Sequence, residues 1–405
     1  MDFFDEQTYR ATRLPVELAS TLLPAAYHDA AYHAAERDRL WATSWVAVGF
    51  LEEVDAPGRA IVRRVAGRSI VVTRDGEGTL RAFFNVCRHR AARLVDGDCD
   101  LGDKIRCPYH AWAYGLDGTC LGTPLFEGSE IPVDQQAMFD MSEVKAFDKA
   151  DYGLLPVRVE TWGFLVFVCL SDETMPLGDW LGDLPERLGG YGFEDWRIQA
   201  TKTYDIGANW KLIAENFMEY YHLPWVHPEL IKVSRMKDHH RYQGTGMYTG
   251  MTTNPVSRDE NSVWLDLPPH EGLEGDDLVS GKFIHLFPNV ALSVLPNHAF
   301  VMLFDPAEPG RTIEETSLLT HPETMAEPAS EPALEKLHAF WDHVNLEDVD
   351  IVERVQDGIA TPEYPGGRMC YRFEEPLHRF QNMVIDRLVG VERIPEGDGD
   401  GPMFA

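Results

Sequence analysis

Two short segments of the sequence each carry one cysteine and one histidine. The first, CRH, occupies residues 87–89, and the second, CPYH, occupies residues 107–110. If each segment forms a tight loop and the two loops face each other, four side chains can complete the coordination shell of a metal: Cys87, His89, Cys107 and His110. Zinc accepts two cysteines and two histidines in structural sites, but zinc fingers pair cysteine with cysteine and histidine with histidine. The mixed pairs therefore favour an iron–sulfur cluster, with structural zinc as the alternative.

A second group of metal-binding side chains occupies residues 209–230, NWKLIAENFMEYYHLPWVHPEL. Within it, Glu215, Glu219 and His222 recur at steps of four and three, which predicts one shared helix face. The proline two residues after His222 should interrupt that helix before His227. Because two histidines five residues apart point in different directions on an unbroken helix, this break would let both rings reach one ion. The alternative is a polar helix face with two incidental histidines.

A third acid follows from the phase of a long helix predicted at about 333–359. Its apolar residues recur at steps of three and four: Leu334, Leu337, Trp341, Val344, Ile351 or Val352, Val355 and Ile359. This stripe predicts one further buried position, which Asp348 occupies. A carboxylate there must be paired or metal-bound, because a bare buried charge costs several kcal/mol. Glu347 and Asp350 fall off the stripe and are expected to be solvated, with Asp350 as the alternative ligand.

The cysteine and histidine loops, with their flanking residues NVCRHRAARL and RCPYHAWAYGLDG, resemble the Rieske [2Fe–2S] proteins. The resemblance is to the branch formed by ring-hydroxylating and N-demethylating oxygenases. In a Rieske cluster, two cysteines bind one iron and two histidines bind the other. The resemblance therefore implies that Cys87, His89, Cys107 and His110 hold such a cluster.

Residues 209–230 are similar to the mononuclear-iron motif of Rieske non-haem iron oxygenase α-subunits. This similarity implies that His222 and His227 bind Fe(II), and that Asp348, in the segment EDVDIVERVQDGI, is the third ligand. It also implies that Asn216 supports the ligands from beside them.

Glu219 takes the position of an acid that carries electrons between subunits in this family. The resemblance implies that Glu219 links the mononuclear iron to His110 of a neighbouring copy, within a ring-shaped homotrimer. Many aromatic-ring dioxygenases have aspartate at this position. The glutamate here resembles the monooxygenase branch that acts on glycine betaine, choline and carnitine.

The elements around these motifs predict an α+β protein. A β-rich block with hairpin turns follows a helical N-terminal stretch, and helices and strands both occur after it. The family resemblance implies an all-β Rieske module, residues 41–155, inserted in a catalytic domain of the helix-grip type. That domain, an antiparallel sheet with helices, would consist of residues 1–40 and 156–405.

The composition narrows the function classes. Asp and Glu number 66 against 36 Lys and Arg, and the resulting net charge of −30 disfavours binding to nucleic acid or to a membrane surface. The longest apolar run, residues 162–170, is too short to span a bilayer. No signal peptide is visible and the six cysteines do not form a disulfide framework, so a cytoplasmic location is expected.

The expected cofactors are the [2Fe–2S] cluster, mononuclear Fe(II) and O2. The sequence has no Gly-x-Gly-x-x-Gly after a strand and no plant-type ferredoxin spacing of four cysteines. Electrons from NAD(P)H are therefore expected to arrive through a separate flavin and iron–sulfur reductase, or through a ferredoxin. Two other functions stay open at this point, a Rieske protein that only carries electrons and a zinc-stabilised binding module.

Aromatic residues near the predicted iron site point to a small-molecule substrate: Phe217, Tyr221, Trp225, Trp264 and Phe300. Such a cavity suits flat aromatic rings or methylated ammonium groups, which bind aromatic faces by cation–π attraction. With the acidic charge and the family branch, the prediction is a monooxygenase that hydroxylates the N-methyl or adjacent carbon of a betaine-like quaternary or methylated amine, leading to oxidative demethylation. Hydroxylation or dihydroxylation of an aromatic compound is the alternative.

Overall fold

The computed structural model describes residues 1–126, 146–256 and 266–397. Over these ranges the protein combines antiparallel sheets with helices, which confirms the predicted α+β class. None of the described helices is both long and apolar enough to cross a membrane.

Contacts along the chain divide it into two units. Val48–Asp172 forms the smaller unit, and Met1–Ala47 together with Glu173–Ala405 forms the larger one. The division therefore falls at 48 and 172, whereas the sequence placed the domain limits at 41 and 155. The later boundary lies further along the chain because the two strands that follow residue 155 pair inside the sheet of the smaller unit.

The described part of the smaller unit contains short strands and two loops that carry the cysteines and histidines. The first strand, β1 (Val46–Phe50), begins two residues before this unit. The others are β2 (Arg59–Val65), β3 (Arg68–Arg74), β4 (Leu80–Phe84), β5 (Cys99–Asp100), β6 (Lys104–Arg106), β7 (Ala113–Gly115), β8 (Cys120–Gly122), β9 (Pro156–Trp162) and β10 (Leu165–Cys169). One sheet has the order β1-β10-β9-β4-β3-β2-β5, and a second has the order β6-β7-β8. The CRH loop follows β4, and the CPYH loop joins β6 to β7.

The larger unit contains a seven-stranded antiparallel sheet over its described residues. Its strands are β11 (Arg197–Ile206), β12 (His239–Arg241), β13 (Tyr248–Thr253), β14 (Gly281–Leu286), β15 (Val290–Leu295), β16 (His298–Glu308) and β17 (Arg311–Thr320), in the order β11-β17-β16-β15-β14-β13-β12. Strand register places Met251, Phe283, Ser293 and Phe300 in one row across β13 to β16. These four side chains therefore share one face of the sheet.

The helices of the larger unit vary from one turn to eight turns. They are α1 (Ala25–His28), α2 (Ala30–Arg39), α3 (Leu177–Leu181), α4 (Leu184–Arg187), α5 (Trp210–Met218), α6 (Leu223–Val226), α7 (Leu230–Val233), α8 (Pro322–Ala326), α9 (Glu331–Ile359) and α10 (Glu375–Val389). Helix α9 buries most of the predicted apolar stripe, but Val355 is 45% exposed and Gln356 is buried in its place. The buried face of α9 therefore passes through residue 356 and not through residue 355. An α-helix has 3.6 residues per turn, so buried positions do not alternate strictly in steps of three and four.

A buried polar network fixes helix α5, which leads into the candidate site. Asn209 caps the helix by accepting a hydrogen bond from the N–H of Lys211 at 3.0 Å. The ammonium of Lys211 pairs with Glu36 on α2 at 2.7 Å, and both side chains are fully buried. Glu215 accepts hydrogen bonds from Tyr27 at 2.7 Å and from Gln381 at 2.9 Å. Helix α5 is thereby tied to α1, α2 and α10 through partners that satisfy its buried charges.

Candidate active site

The two cysteine-and-histidine loops have the same backbone conformation. In each, the cysteine N–H donates to the carbonyl five residues later, and the N–H four residues later donates to the cysteine carbonyl, at 2.8–3.1 Å. The residue four positions after the cysteine is Ala91 in one loop and Ala111 in the other, and both have positive φ, 56° and 59°. A non-glycine residue in this left-handed region carries strain, which functional sites often hold. The loops thus form a matched pair built around Cys87 and Cys107.

The side chains of these loops fit a cluster with two cysteine and two histidine ligands. Cys87 and Cys107 are free thiols, each 3% exposed, and the ring centroids of His89 and His110 lie 4.6 Å apart. Nδ1 of His89 is buried and has no hydrogen-bond partner among the described residues. A buried nitrogen without a partner is costly unless it binds something else, so it is available to a metal.

Aromatic residues contact the candidate cluster ligands. Trp112 stacks on the His89 ring with centroids 5.0 Å apart and planes inclined by 7°. The Tyr114 hydroxyl lies 3.2 Å from Sγ of Cys87 and accepts the N–H of Arg88 at 3.0 Å. Hydrogen bonds to a cluster sulfur are one of the means by which proteins tune its potential.

Three side chains of the larger unit converge as a second metal site. The candidate ligand atoms of His222, His227 and Asp348 all lie within 4.8 Å of one another. Nε2 of His227 is 2.8 Å from Oδ1 of Asp348, and Nε2 of His222 is 3.6 Å from the same oxygen. Two imidazoles and one carboxylate are the ligand set of non-haem Fe(II) oxygenases, which leave further coordination positions open.

Each of these imidazoles binds a carboxylate through its other nitrogen. Nδ1 of His222 donates to Glu219 at 2.5 Å, and Nδ1 of His227 donates to Glu347 at 2.8 Å. Because a carboxylate engages Nδ1 of each ring, Nε2 is the nitrogen that faces Asp348, and it would bind a metal there after losing any proton it carries. Burial lowers the pKa of His227, but its hydrogen bonds to Asp348 and Glu347 outweigh that effect, so the pKa is raised.

The prediction that Glu347 is solvated is wrong. Its carboxylate is 25% exposed and also lies 3.4 Å from Nε2 of His343. Position 347 is off the apolar stripe, and periodicity in one helix cannot show that a histidine from another element reaches its edge. Asp350 is 66% exposed and pairs with Arg354, as expected for a residue outside the site. Asp348 is 25% exposed, so it is less buried than the helix phase predicted.

The chain around the two histidines also differs from the prediction. Helix α5 ends at Met218, so Glu215, Glu219 and His222 do not share one helix face. Glu219 lies just past the helix end, and its carboxylate also accepts the N–H of His222 at 3.2 Å. Proline is tolerated in the first turn of a helix, where its missing N–H has no partner to lose. Pro224 accordingly begins α6 instead of breaking α5, and the two histidines flank this single turn.

A cavity adjoins the three candidate ligands, and only part of the predicted lining belongs to it. Phe217, Phe300 and Asn216 line the cavity. Tyr221 and Trp225 do not, since they are 50% and 81% exposed, and Trp264 lies outside the described residues. The turn that carries Tyr221 and Trp225 directs His222, His227 and Leu223 inward, whereas Tyr221 and Trp225 point to solvent.

Further cavity residues come from the sheet and from α9. They are chiefly apolar or aromatic, among them Met251, Phe283, Met302, Trp341 and Val344. Trp341 stacks on Phe300 with ring centroids 5.2 Å apart. The sequence placed Trp341 on the buried stripe without assigning it to a cavity. Strand register, which a single sequence does not reveal, is what brings Phe283 and Phe300 beside it.

Two family descriptions match the chain. The Rieske [2Fe-2S] domain matches residues 44–137, and the ring hydroxylating alpha subunit (catalytic domain) matches residues 193–390.

Curated relatives are monooxygenases or their oxygenase subunits. The glycine betaine monooxygenase oxygenase subunit of Chromohalobacter salexigens is 29% identical over 395 residues, which cover 90% of this chain and 84% of the relative. The chloroplastic choline monooxygenase of Spinacia oleracea is 27% identical, covering 91% and 78%. The carnitine monooxygenase oxygenase subunit of Acinetobacter baumannii is 31% identical over a shorter stretch, covering 52% and 54%.

Solved structures share the fold. The quaternary ammonium Rieske monooxygenase CntA in complex with L-carnitine superposes with a TM-score of 0.75 at 24% identity, covering 92% of this chain and 96% of that chain. Naphthalene 1,2-dioxygenase from Rhodococcus sp. superposes with a TM-score of 0.77 at 18% identity, covering 96% and 99%. These likenesses confirm the predicted pairing of a Rieske module with a helix-grip domain.

Proposed function

This chain belongs to the Rieske non-haem iron oxygenase α-subunits, and from that membership we propose that it hydroxylates the N-methyl or adjacent carbon of a betaine-like quaternary or methylated amine. The relatives include glycine betaine, choline and carnitine monooxygenases, which favour this substrate class over an aromatic compound. Membership also disfavours a pure electron carrier and a zinc-stabilised binding module, since neither needs a catalytic domain.

The composition of the cavity wall is the observation that carries the proposal. Its aromatic members are Phe217, Phe283, Phe300 and Trp341, and its charged members are the acids Glu219 and Asp348. Among the described residues, no lysine or arginine lines it. An ammonium group gains roughly 0.5–2 kcal/mol from an aromatic face. An anionic aromatic acid would find no charge partner on this described wall.

The assignment of ligands to metals is also part of the proposal. Cys87, His89, Cys107 and His110 would hold the Rieske cluster, and His222, His227 and Asp348 would hold Fe(II). When bound, these groups supply single electrons and activation of O2. The protein's own contribution is to orient the ligands, through Glu219 and Glu347 on the imidazoles, and to hold the amine beside them.

The overall reaction follows from the balance of atoms and electrons. One oxygen atom of O2 enters a C–H bond of the amine, and the other leaves as water with two electrons and two protons. NAD(P)H supplies the electrons through a separate reductase. A hydroxylated N-methyl group is an unstable carbinolamine, which releases formaldehyde and leaves the demethylated amine.

We further propose a homotrimer in which Glu219 of one copy receives electrons through His110 of another. Glu219 is held in place by His222, so a carboxylate at this point connects directly to a candidate iron ligand. His110 is partly exposed, which suits transfer to a partner. A cytoplasmic location agrees with the six free cysteines and with a reductase that uses NAD(P)H.

A turnover screen tests the proposed function. The purified iron-loaded protein would receive NADH, a surrogate reductase, and a panel of glycine betaine, choline, carnitine, benzoate and naphthalene. Formaldehyde or an oxidised amine from a quaternary amine supports the proposal. A cis-diol or phenol from an aromatic compound, with no product from the amines, overturns it.

A further inference from the structure

A hydrogen bond from outside the cavity fixes one of its aromatic walls. Trp341 is 4% exposed, and its ring lies parallel to that of Phe300, with an interplanar angle of 7°. Nε1–H of Trp341 donates to Nε2 of His298 at 2.9 Å. Because a buried indole N–H needs an acceptor, this bond fixes the rotation of the ring about its side-chain torsions.

A second hydrogen bond fixes the orientation of the His298 ring. His298 is fully buried, and its Nδ1 donates to Oδ1 of Asn297 at 2.7 Å. The amide of Asn297 donates to the carbonyl of Leu267 at 2.8 Å. Burial lowers the pKa of His298 to about 3, so the ring is neutral and Nε2 keeps the lone pair that Trp341 needs. The three side chains form a continuous chain of hydrogen bonds that ends at the cavity wall.

The position of Trp341 along α9 separates it from the candidate iron ligand. Trp341 and Asp348 are seven residues apart on the same helix, which corresponds to roughly 10 Å along its axis. Trp341 lines the same cavity as Asp348. An ammonium group held against the indole would therefore lie in the cavity that the three candidate ligands adjoin.

We propose that His298 is a positioning residue for the substrate: it locks Trp341 with its indole face as the surface that binds the ammonium group. Phe300, stacked on one face of that ring, supports it. This proposal rests on the proposed function, because it takes a quaternary amine as the ligand.

Binding of a charged ligand and of its uncharged isostere tests this role. Calorimetry would compare choline with 3,3-dimethylbutan-1-ol on the purified holoprotein, so that no turnover is needed. His298→Leu removes the acceptor, and it should weaken choline binding by roughly two- to thirtyfold while changing that of the isostere less than twofold. His298→Gln, which offers an acceptor oxygen to Trp341, should restore part of the preference for choline.

His285→Leu is the matched control. His285 is a second fully buried histidine of the same sheet, whose pKa burial also lowers to about 3, and it does not line the cavity. This variant should keep the wild-type ratio of choline to isostere affinity. If a buried histidine only stabilised the fold, His298→Leu and His285→Leu would change the ratio of choline to isostere affinity by the same factor.

The outcomes separate this proposal from the proposed function. A wild-type protein that does not prefer choline to the isostere contradicts the proposed function, and the role of His298 with it. A wild-type preference that persists in His298→Leu overturns only the role of His298. If His298→Leu does not fold, Trp341→Phe, which keeps a ring but loses Nε1–H, must lower the preference; an unchanged ratio in that variant overturns the proposal.

Discussion

Carboxylates orient the two imidazoles of the candidate iron site. Glu219 binds Nδ1 of His222, and Glu347 binds Nδ1 of His227, so each ring presents Nε2 to Asp348. Partners of this kind fix the tautomer of a ligand and raise its basicity. These two carboxylate–histidine pairs would therefore orient the ligand nitrogens before a metal binds.

Removal of the Glu347 carboxylate should weaken metal binding without removing a ligand. We expect Glu347→Ala to lower the affinity for mononuclear iron by roughly 10- to 100-fold, because His227 loses the acceptor for its Nδ1 proton. Iron titration of the apoprotein measures this affinity. Glu335→Ala, an exposed position on the same helix, serves as the control and should bind iron as the wild type does. Equal iron affinities in Glu347→Ala and Glu335→Ala would show that Glu347 does not support metal binding.

The third ligand has its own test. Asp348→Ala should lose mononuclear iron and turnover while the absorbance spectrum of the Rieske cluster persists, because the cluster candidates lie on other loops. Asp350→Ala should keep both metals, since Asp350 is exposed and pairs with Arg354. Metal analysis of the two purified variants decides between them, and reversed results would move the ligand by two positions.

At the level of residues, the sequence was informative where a side chain is chemically out of place. An acid on an apolar stripe points to Asp348, and mixed cysteine and histidine pairs point to the two loops. The role of Glu347 could not be predicted in this way, because charged residues at the edge of an apolar helix face are common and do not indicate a function. The hydrogen bond between His298 and Trp341 could not be predicted either, since it joins β16 to α9, which are far apart in the sequence.

Helix α5 shows how burial makes a structural element sensitive to pH. Glu215 on this helix is buried, and burial raises its pKa to about 7 from an ordinary value of 4.5. Its protonated form is therefore favoured in the folded protein. The stability that this brings is complete below pH 4.5 and is lost as the pH rises towards 7, because the unfolded chain releases the proton first.

Glu215→Gln should reduce this dependence. The amide keeps the size of the side chain and can still bond Tyr27 and Gln381, but it does not titrate. Relative to the wild type, its free energy of unfolding should therefore rise by up to about 3 kcal/mol between pH 4.5 and 7. Urea unfolding at a series of pH values measures the difference, with Glu335→Gln as the exposed control. Parallel curves for wild type and Glu215→Gln would show that Glu215 does not couple folding to pH.

At the level of elements, the sequence patterns predicted whether a segment is a helix or a strand better than they predicted the residues at which it begins and ends. The β-rich block and the long helix α9 were both expected, because alternation and helical periodicity extend over many residues. The end of α5 at Met218 was missed, since the proline that seemed to break it lies in the next helix. The pocket depends on strand register in β13 to β16, which is set by long-range pairing and is invisible to local patterns.

For the whole molecule, the proposed route of electrons runs between copies of the chain. Glu219→Gln keeps the size of the side chain but removes its charge. We expect both metals to remain and the cluster to be reduced at the wild-type rate, while steady-state turnover falls at least 100-fold because the proposed link to His110 of the partner subunit is broken. Glu229→Gln, at a nearby exposed acid, should leave turnover unchanged. Full activity of Glu219→Gln with unchanged iron content would remove Glu219 from the electron route.

The coupling of O2 uptake to amine oxidation tests the central claim most directly. Purified protein with reductase and NADH would receive glycine betaine or choline carrying 13C-labelled methyl groups, while O2 consumption and 13C nuclear magnetic resonance spectra are recorded together. The account predicts that at least one amine stimulates O2 uptake, with one aldehyde released for each O2 consumed: formaldehyde from an N-methyl group, or the aldehyde formed when a hydroxylated adjacent carbon separates from the nitrogen. O2 uptake that responds only to an aromatic compound, with the labelled amines unchanged, would contradict it.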